Sequence, residues 1–228
     1  MKFTTVFTGC MLAAQLLRAQ EQYPRGYFRN PLDIPITLAG NFAECRPNHF
    51  HTGLDLKTNE RENLNVYAAA DGYVSRVSIS HSGYGNAVYI THPNGYTTLY
   101  GHLNDFFPAL QQYVVSQQYA KETWNIDLNM NAGQFPVKKG QLIALSGTTG
   151  GSTGPHVHFE IRDSKTEHVL NAALFGFAIN DNIPPVAGSI AVYREGSVYE
   201  QNAQLYPLKK GADGYSTLKP LTTTAGKI

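Results

Sequence analysis

Between residues 73 and 162 apolar and polar side chains alternate in short runs. Residues 73–79, 87–91, 96–100, 141–145 and 157–162 carry β-branched or aromatic side chains at near period-two spacing, which predicts strands. Turn residues separate them: Asp71-Gly72, Gly83-Tyr84-Gly85-Asn86, Pro93-Asn94-Gly95, Lys139-Gly140 and the loop 147–155. Short strands and turns in regular succession predict an all-β fold, an antiparallel sheet or β-sandwich-like core. One stretch departs from period two. Pro108 suits a first helical position, and Leu110, Tyr113, Val114 and Gln117 then recur at helical spacing, predicting one helix over 108–119.

The polar positions of these strands hold the candidate chemistry. His156 and His158 are two apart, so a strand puts both imidazoles on one face, with Glu160 next along it. His51 and Asp55 are four apart, a gap that suits a helix or a strand; Gly53 and the alternate set Thr52, Leu54 and Leu56 favour the strand. Two imidazoles and one carboxylate from these groups fill three corners of a tetrahedral zinc and leave the fourth for water, as catalytic sites do. A lone His-x-His is equally a pair of solvated histidines. A third element accompanies it here: Tyr100-Gly101-His102-Leu103 follows a strand-turn-strand pattern, with its tyrosine and histidine expected to face the same way. The glycine-rich loop 147–154 lacks a Gly-Lys-Ser/Thr ending and leads into a strand, which sets a phosphate cradle aside. Its glycines instead allow tight turns that bring His156 and His158 to the floor of a groove. Cys45, six residues before His51, reads either as a fourth ligand or as a buried free thiol.

In order along the chain stand His-x-x-x-Asp, Tyr-Gly-His, and Gly-x-x-Gly-x-Ser-Thr-Gly-Pro-His-x-His-Phe-Glu, over about residues 46 to 163. This sequence resembles the lysostaphin/LytM-type zinc metallopeptidases, which cut peptide bridges of bacterial peptidoglycan. The resemblance implies one zinc per chain on His51, Asp55 and His158, with His156 and His102 off the metal and assisting catalysis. A His-Glu-x-x-His motif is absent, so His156 is the expected proton acceptor and His102 supports the oxyanion or shares the proton work. Tyr100 and Asn86 are candidate substrate contacts and Glu160 a candidate support behind a ligand. Each also reads as an ordinary strand or turn residue. Val157 stands where leucine is more usual.

The departure from the family is a long insertion, 104–136, read as an ornament covering a sheet edge or as a wall at the groove rim beside His102. The implied activity is endopeptidase hydrolysis of peptidoglycan peptide cross-links. A D-alanyl-diaminopimelate link is favoured over a polyglycine bridge, because the insertion would make an atypical wall for an unbranched chain. The alternatives are a non-catalytic peptidoglycan-binding module that regulates a wall amidase, or a structural wall protein. Retention of every expected ligand argues against both.

Composition adds limits. At 228 residues, 42% hydrophobic and 15% charged, the chain can bury a full core. Lys2, an apolar run from Phe3 to about Leu17 and Arg18-Ala19-Gln20 predict a secretory signal peptide over 1–20. The expected location is therefore periplasmic or envelope-associated, with no stable membrane insertion of the mature form. A lipoprotein reading through Cys10 is set aside because only about seven apolar residues would precede it and the run continues past it. Removing residues 1–19 takes away Lys2, Arg18 and no acid, leaving 16 basic against 17 acidic side chains, which gives no case for nucleic acid. The expected organisation is a signal peptide at 1–20, an N-terminal strap at 21–45, a zinc peptidase domain at 46–180 and a linker with a partial β-rich segment at 181–228. In it 171–177 forms an apolar strap, 182–185 a linker, and 190–193 and 198–199 a hairpin about Glu195-Gly196.

Overall fold

The protein is described by a computed structural model covering residues 23–179, 186–193 and 203–219, with the backbone of 222–223 and 226–227. The expected signal peptide, the 182–185 linker and the 195–199 half of the expected hairpin lie outside the described residues. The chain divides into two compact units, 1–180 and 181–228.

Among its described residues the first unit is mostly antiparallel β-structure with one α-helix. Its strands are β1 (Leu38–Gly40), β2 (Leu54–Lys57), β3 (Asn65–Tyr67), β4 (Gly72–Ile79), β5 (Asn86–Thr91) and β6 (Tyr96–Phe106), followed by α1 (Pro108–Ala120). After the helix come β7 (Ile126–Asn129), β8 (Pro136–Val137), β9 (Leu142–Ser146), β10 (His156–Asp163) and β11 (Val169–Leu170). The main order is β1-β2-β10-β6-β5-β4-β7, with β9 pairing the far end of β6 and β3. Every named strand pair is antiparallel.

Period-two alternation sorts the two faces. Leu54 and Leu56 on β2, Tyr100 on β6, and Val157, Phe159 and Ile161 on β10 are buried in one hydrophobic core. Asp55, His156, His158 and Glu160 occupy the opposite face of the same strands. The strap before β1 crosses over this core, burying Phe28, Leu32 and Ile36, while Phe175 closes it from the other terminus and stacks edge-on with Phe28 at 5.6 Å.

The insertion resolves one of the open alternatives. Its helix buries Leu110 and Val114 in the core, on the face away from His158. Its strand β7 pairs with β4 at the far edge of the sheet, Ile126 opposite Ile79. The insertion therefore covers a sheet edge, and the expectation that it stands at the groove rim is corrected: no groove-lining residue comes from 104–136. In the second unit β12 (Ser189–Val192) pairs with β13 (Gln204–Gly211), and β13 with β14 (Gly214–Thr217).

Buried His92 gives the fold a titratable point away from the metal centre. Its Nδ1 bonds to the Asp71 carbonyl and its Nε2 to Thr98 Oγ1, both at 2.8 Å. Burial lowers its pKa to about 4. An unfolded chain would bind that proton near pH 6.5, so stability present above pH 6.5 is lost as pH falls toward 4, on the order of 3 kcal/mol. Urea midpoints measured from pH 7 to pH 4 should fall less steeply for His92→Gln than for the wild type; equal slopes would rule His92 out as the cause.

Candidate metal centre

Three strands and the segment leading into β2 build the site. β2 presents Asp55, the residue four before it places His51, β10 brings His156 and His158, and β6 brings His102. Asp55 and His158 are directly opposed across the β2–β10 pair, so sheet register sets their approach. Gly53 makes that approach possible. A Cβ there would lie 2.5 Å from the Phe159 carbonyl oxygen and 2.9 Å from His158 Nε2. Gly53→Ala should therefore push β2 from β10, costing about 1–3 kcal/mol together with metal affinity; thermal melts and zinc titration on one preparation would check this.

Three donor atoms converge. His51 Nε2, Asp55 Oδ1 and His158 Nδ1 form a triangle with all sides 3.0 Å. Hydrogen bonding fixes the tautomers: His51 Nδ1 donates to the Asn41 carbonyl at 2.7 Å, and His158 Nε2 donates to Glu160 Oε1 at 2.9 Å. The nitrogen that each ring leaves over carries a lone pair aimed at the other and at a carboxylate oxygen. Three buried acceptors facing one another call for a cation at their centre. Tetrahedral zinc at 2.0–2.1 Å would set edges of about 3.3 Å, so the donor set fits with small adjustment. Among the described residues this trio is a cluster able to hold a metal.

Electrostatics agrees with the geometry. Burial would raise the Asp55 pKa, but the three imidazoles packed around it, His156, His158 and His51, hold it well below the usual carboxylate range, because the carboxylate favours a proton on them. Burial lowers the His158 pKa, and the flanking Asp55 and Glu160 outweigh it, so the net direction is up. The site attracts positive charge, whether a proton or a metal ion.

Behind His158 lies a network that spacing in the sequence did not show. Glu160 is fully buried; its Oε1 accepts from Tyr84 OH at 2.7 Å and Thr52 Oγ1 at 2.5 Å, and its Oε2 from Arg162 Nε at 2.6 Å. Burial opposes its ionisation, yet His158 and Arg162 bring its pKa down to about 2. Glu160 thus accepts from His158 Nε2 within a buried set of donors. The signal for Arg162 was its period-two step beyond Glu160.

The two remaining histidines stand beside the trio. His156 Nδ1 donates to the Gly154 carbonyl at 2.8 Å, and its Nε2 lies 3.4 Å from Asp55 Oδ1. His102 Nδ1 donates to the Thr149 carbonyl at 2.7 Å, and its ring centre is 4.6 Å from that of His156. Burial lowers the His102 pKa to about 4. The glycine-rich loop thereby sets both tautomers with Nε2 free to accept a proton.

Three expectations are corrected. Tyr100 and His102 face opposite ways. His102 has φ of 60°, and between Tyr100 and Leu103 the strand takes three steps against two on β5, a bulge that turns His102 out of the core side. Tyr100 stays fully buried, its hydroxyl accepting from Ala69 N at 2.8 Å, and it does not line the groove. Asn86 is likewise no groove residue: its amide donates to the Asn104 carbonyl at 3.1 Å and it does not line the groove. Cys45 is exposed rather than buried, and neither lines the groove nor belongs to the metal cluster.

The trio opens into a groove of about 1070 Å³, lined also by Arg46, His49, Lys57, Gly151, Thr153 and Pro155.

The sequence model of Peptidase family M23 matches residues 49–123 and 115–171. The DD-carboxypeptidase/endopeptidase Mpg of Neisseria meningitidis is 37% identical over 112 residues, 49% of this chain and 20% of that protein. The peptidoglycan DD-endopeptidase ShyA of Vibrio cholerae is 31% identical over 143 residues, 60% of this chain and 27% of that protein. The chain thus spans about a quarter of the length of these curated relatives. A solved zinc-containing peptidase from Vibrio cholerae aligns with a TM-score of 0.48 and 27% identity, over 68% of this chain and 41% of that one. Since the matched residues make up more than half of the sequence and hold all five histidine and aspartate positions of the site, the chain belongs to Peptidase family M23.

Proposed function

We propose that the protein is a zinc-dependent endopeptidase that hydrolyses peptide cross-links of peptidoglycan. The observation that carries this reading is the 3.0 Å triangle of His51, Asp55 and His158 at the floor of an open groove, flanked by two histidines that are not part of it. His51, Asp55 and His158 would hold the zinc. When bound, zinc supplies Lewis acidity, polarising the scissile carbonyl and making a water able to lose its proton near neutral pH.

The remaining steps belong to the chain's own groups. His156, its Nδ1 committed to Gly154, takes the proton from the attacking water on Nε2 and delivers it to the leaving amine. His102 is kept neutral by burial, so its Nε2 shares the proton work; it donates to an oxyanion only after gaining a proton. Glu160 holds the His158 ring, and the loop 147–155 holds the two bases.

Cleavage of a D-alanyl-diaminopimelate cross-link is supported by the DD-endopeptidase activity in the names of relatives such as ShyA. The insertion does not bear on the choice of bond, since it lies at the other sheet edge. An exported location, reached through the leader-like residues 1–20, fits such a substrate; no helix among the described residues is long and apolar enough to cross a membrane. Purified cross-linked muropeptide dimers and, separately, pentaglycine test the bond. Conversion of dimers to monomers is expected; cleavage of pentaglycine alone would overturn the assignment.

A further inference from the structure

The loop that leads into His51 folds back over the metal centre. Ala43 N bonds to the His51 carbonyl at 2.8 Å, His51 N to the Glu44 carbonyl at 2.9 Å, and Arg46 N to the His49 carbonyl at 2.9 Å. This small hairpin carries the Arg46 guanidinium over Asp55. Arg46 Nη2 donates to Asp55 Oδ2 at 3.1 Å, the carboxylate oxygen that takes no part in the donor triangle. Room for this contact exists because residue 40 is glycine: a Cβ there would collide with both Asp55 Oδ2 and Arg46 Nη2.

Glu44 ties this contact to the other side of the site. Its Oε2 accepts from Arg46 Nη2 at 3.3 Å and from the Asn41 backbone N–H at 3.1 Å. The Asn41 carbonyl in turn holds His51 Nδ1 at 2.7 Å. One exposed carboxylate therefore links the group restraining Asp55 with the group orienting His51. Two effects of Arg46 oppose each other near a dication: its charge repels, while its directional hydrogen bond fixes the ligand. Because Glu44 shares the same nitrogen, much of the charge is offset and the positioning effect prevails.

We propose that Arg46 is a positioning residue that occupies Asp55 Oδ2, so that Asp55 offers the metal Oδ1 alone, and that Glu44 couples this restraint to the orientation of His51. The inference rests on the zinc reading given above. Loss of a partner behind a metal ligand costs about 10- to 100-fold in metal affinity, and that is the loss expected for Arg46→Gln.

Zinc affinity is measured by competition with a chromophoric chelator on the full chain, with the melting temperature of the zinc-free protein as the folding control. A wild type that binds no zinc would sink the zinc reading itself, before Arg46 is at issue. A wild type and an Arg46→Gln protein of equal zinc affinity would overturn the proposal. So would a raised KM at unchanged affinity, which would make Arg46 a substrate contact. Glu44→Gln should also weaken binding, and the double variant should be no weaker than Arg46→Gln alone; losses that multiply would refute the coupling. If Arg46→Gln does not fold, Arg46→Lys carries the test: a shorter, single-point donor should bind zinc less tightly than arginine, and wild-type affinity would refute the role.

Discussion

His158→Ala is expected to lose both zinc and hydrolysis. Removing that ring deletes one corner of the donor triangle and leaves Glu160, fully buried, without the N–H it accepts from His158. The drop in zinc affinity should exceed the roughly 10- to 100-fold cost of losing a partner behind a ligand, because a direct ligand is gone. Metal analysis after dialysis should find about one zinc per chain in the wild type and little in the variant. A Cys45→Ser protein should keep its zinc, since Cys45 is exposed and outside the cluster. Equal zinc loss in that variant would mean that the three-ligand assignment is wrong.

His156→Ala and His102→Ala should separate metal binding from chemistry. Neither ring contributes an atom to the triangle, so both variants should retain zinc. Each should lose on the order of a hundredfold or more in rate, the scale of an acid-base group. Loss at His156 should be the larger, since its Nε2 is 3.4 Å from Asp55 Oδ1 and so stands directly beside the donor trio. Steady-state rates on zinc-loaded preparations of known metal content check this. Undiminished turnover in both variants would contradict the mechanism.

The parts of this site that could be read from the sequence are those set by local periodicity. Period two placed His156, His158 and Glu160 on one face of β10, and their apolar alternates Val157, Phe159 and Ile161 in the core. Helical spacing gave α1 to within a residue. What the sequence hid were contacts fixed by pairing and by backbone exceptions. The bulge at His102 reverses the alternation on β6, so Tyr100 went to the wrong face in a period-two reading. Thr52, Tyr84 and Arg162 come from three separate segments and are brought together around Glu160 only by the fold. Placement of the insertion depends on β7 choosing β4 as its partner, a long-range choice that no spacing within 104–136 records. Short strands such as β3 and β8 are too brief to show a period.

Diffraction from crystals of the zinc-loaded protein, collected on both sides of the zinc absorption edge, tests the central claim most directly. The account predicts one anomalous peak bonded to His51 Nε2, Asp55 Oδ1 and His158 Nδ1, open toward the groove, with His156 and His102 near but unbonded. A peak closed by a fourth side chain, or one centred on other residues, would contradict it.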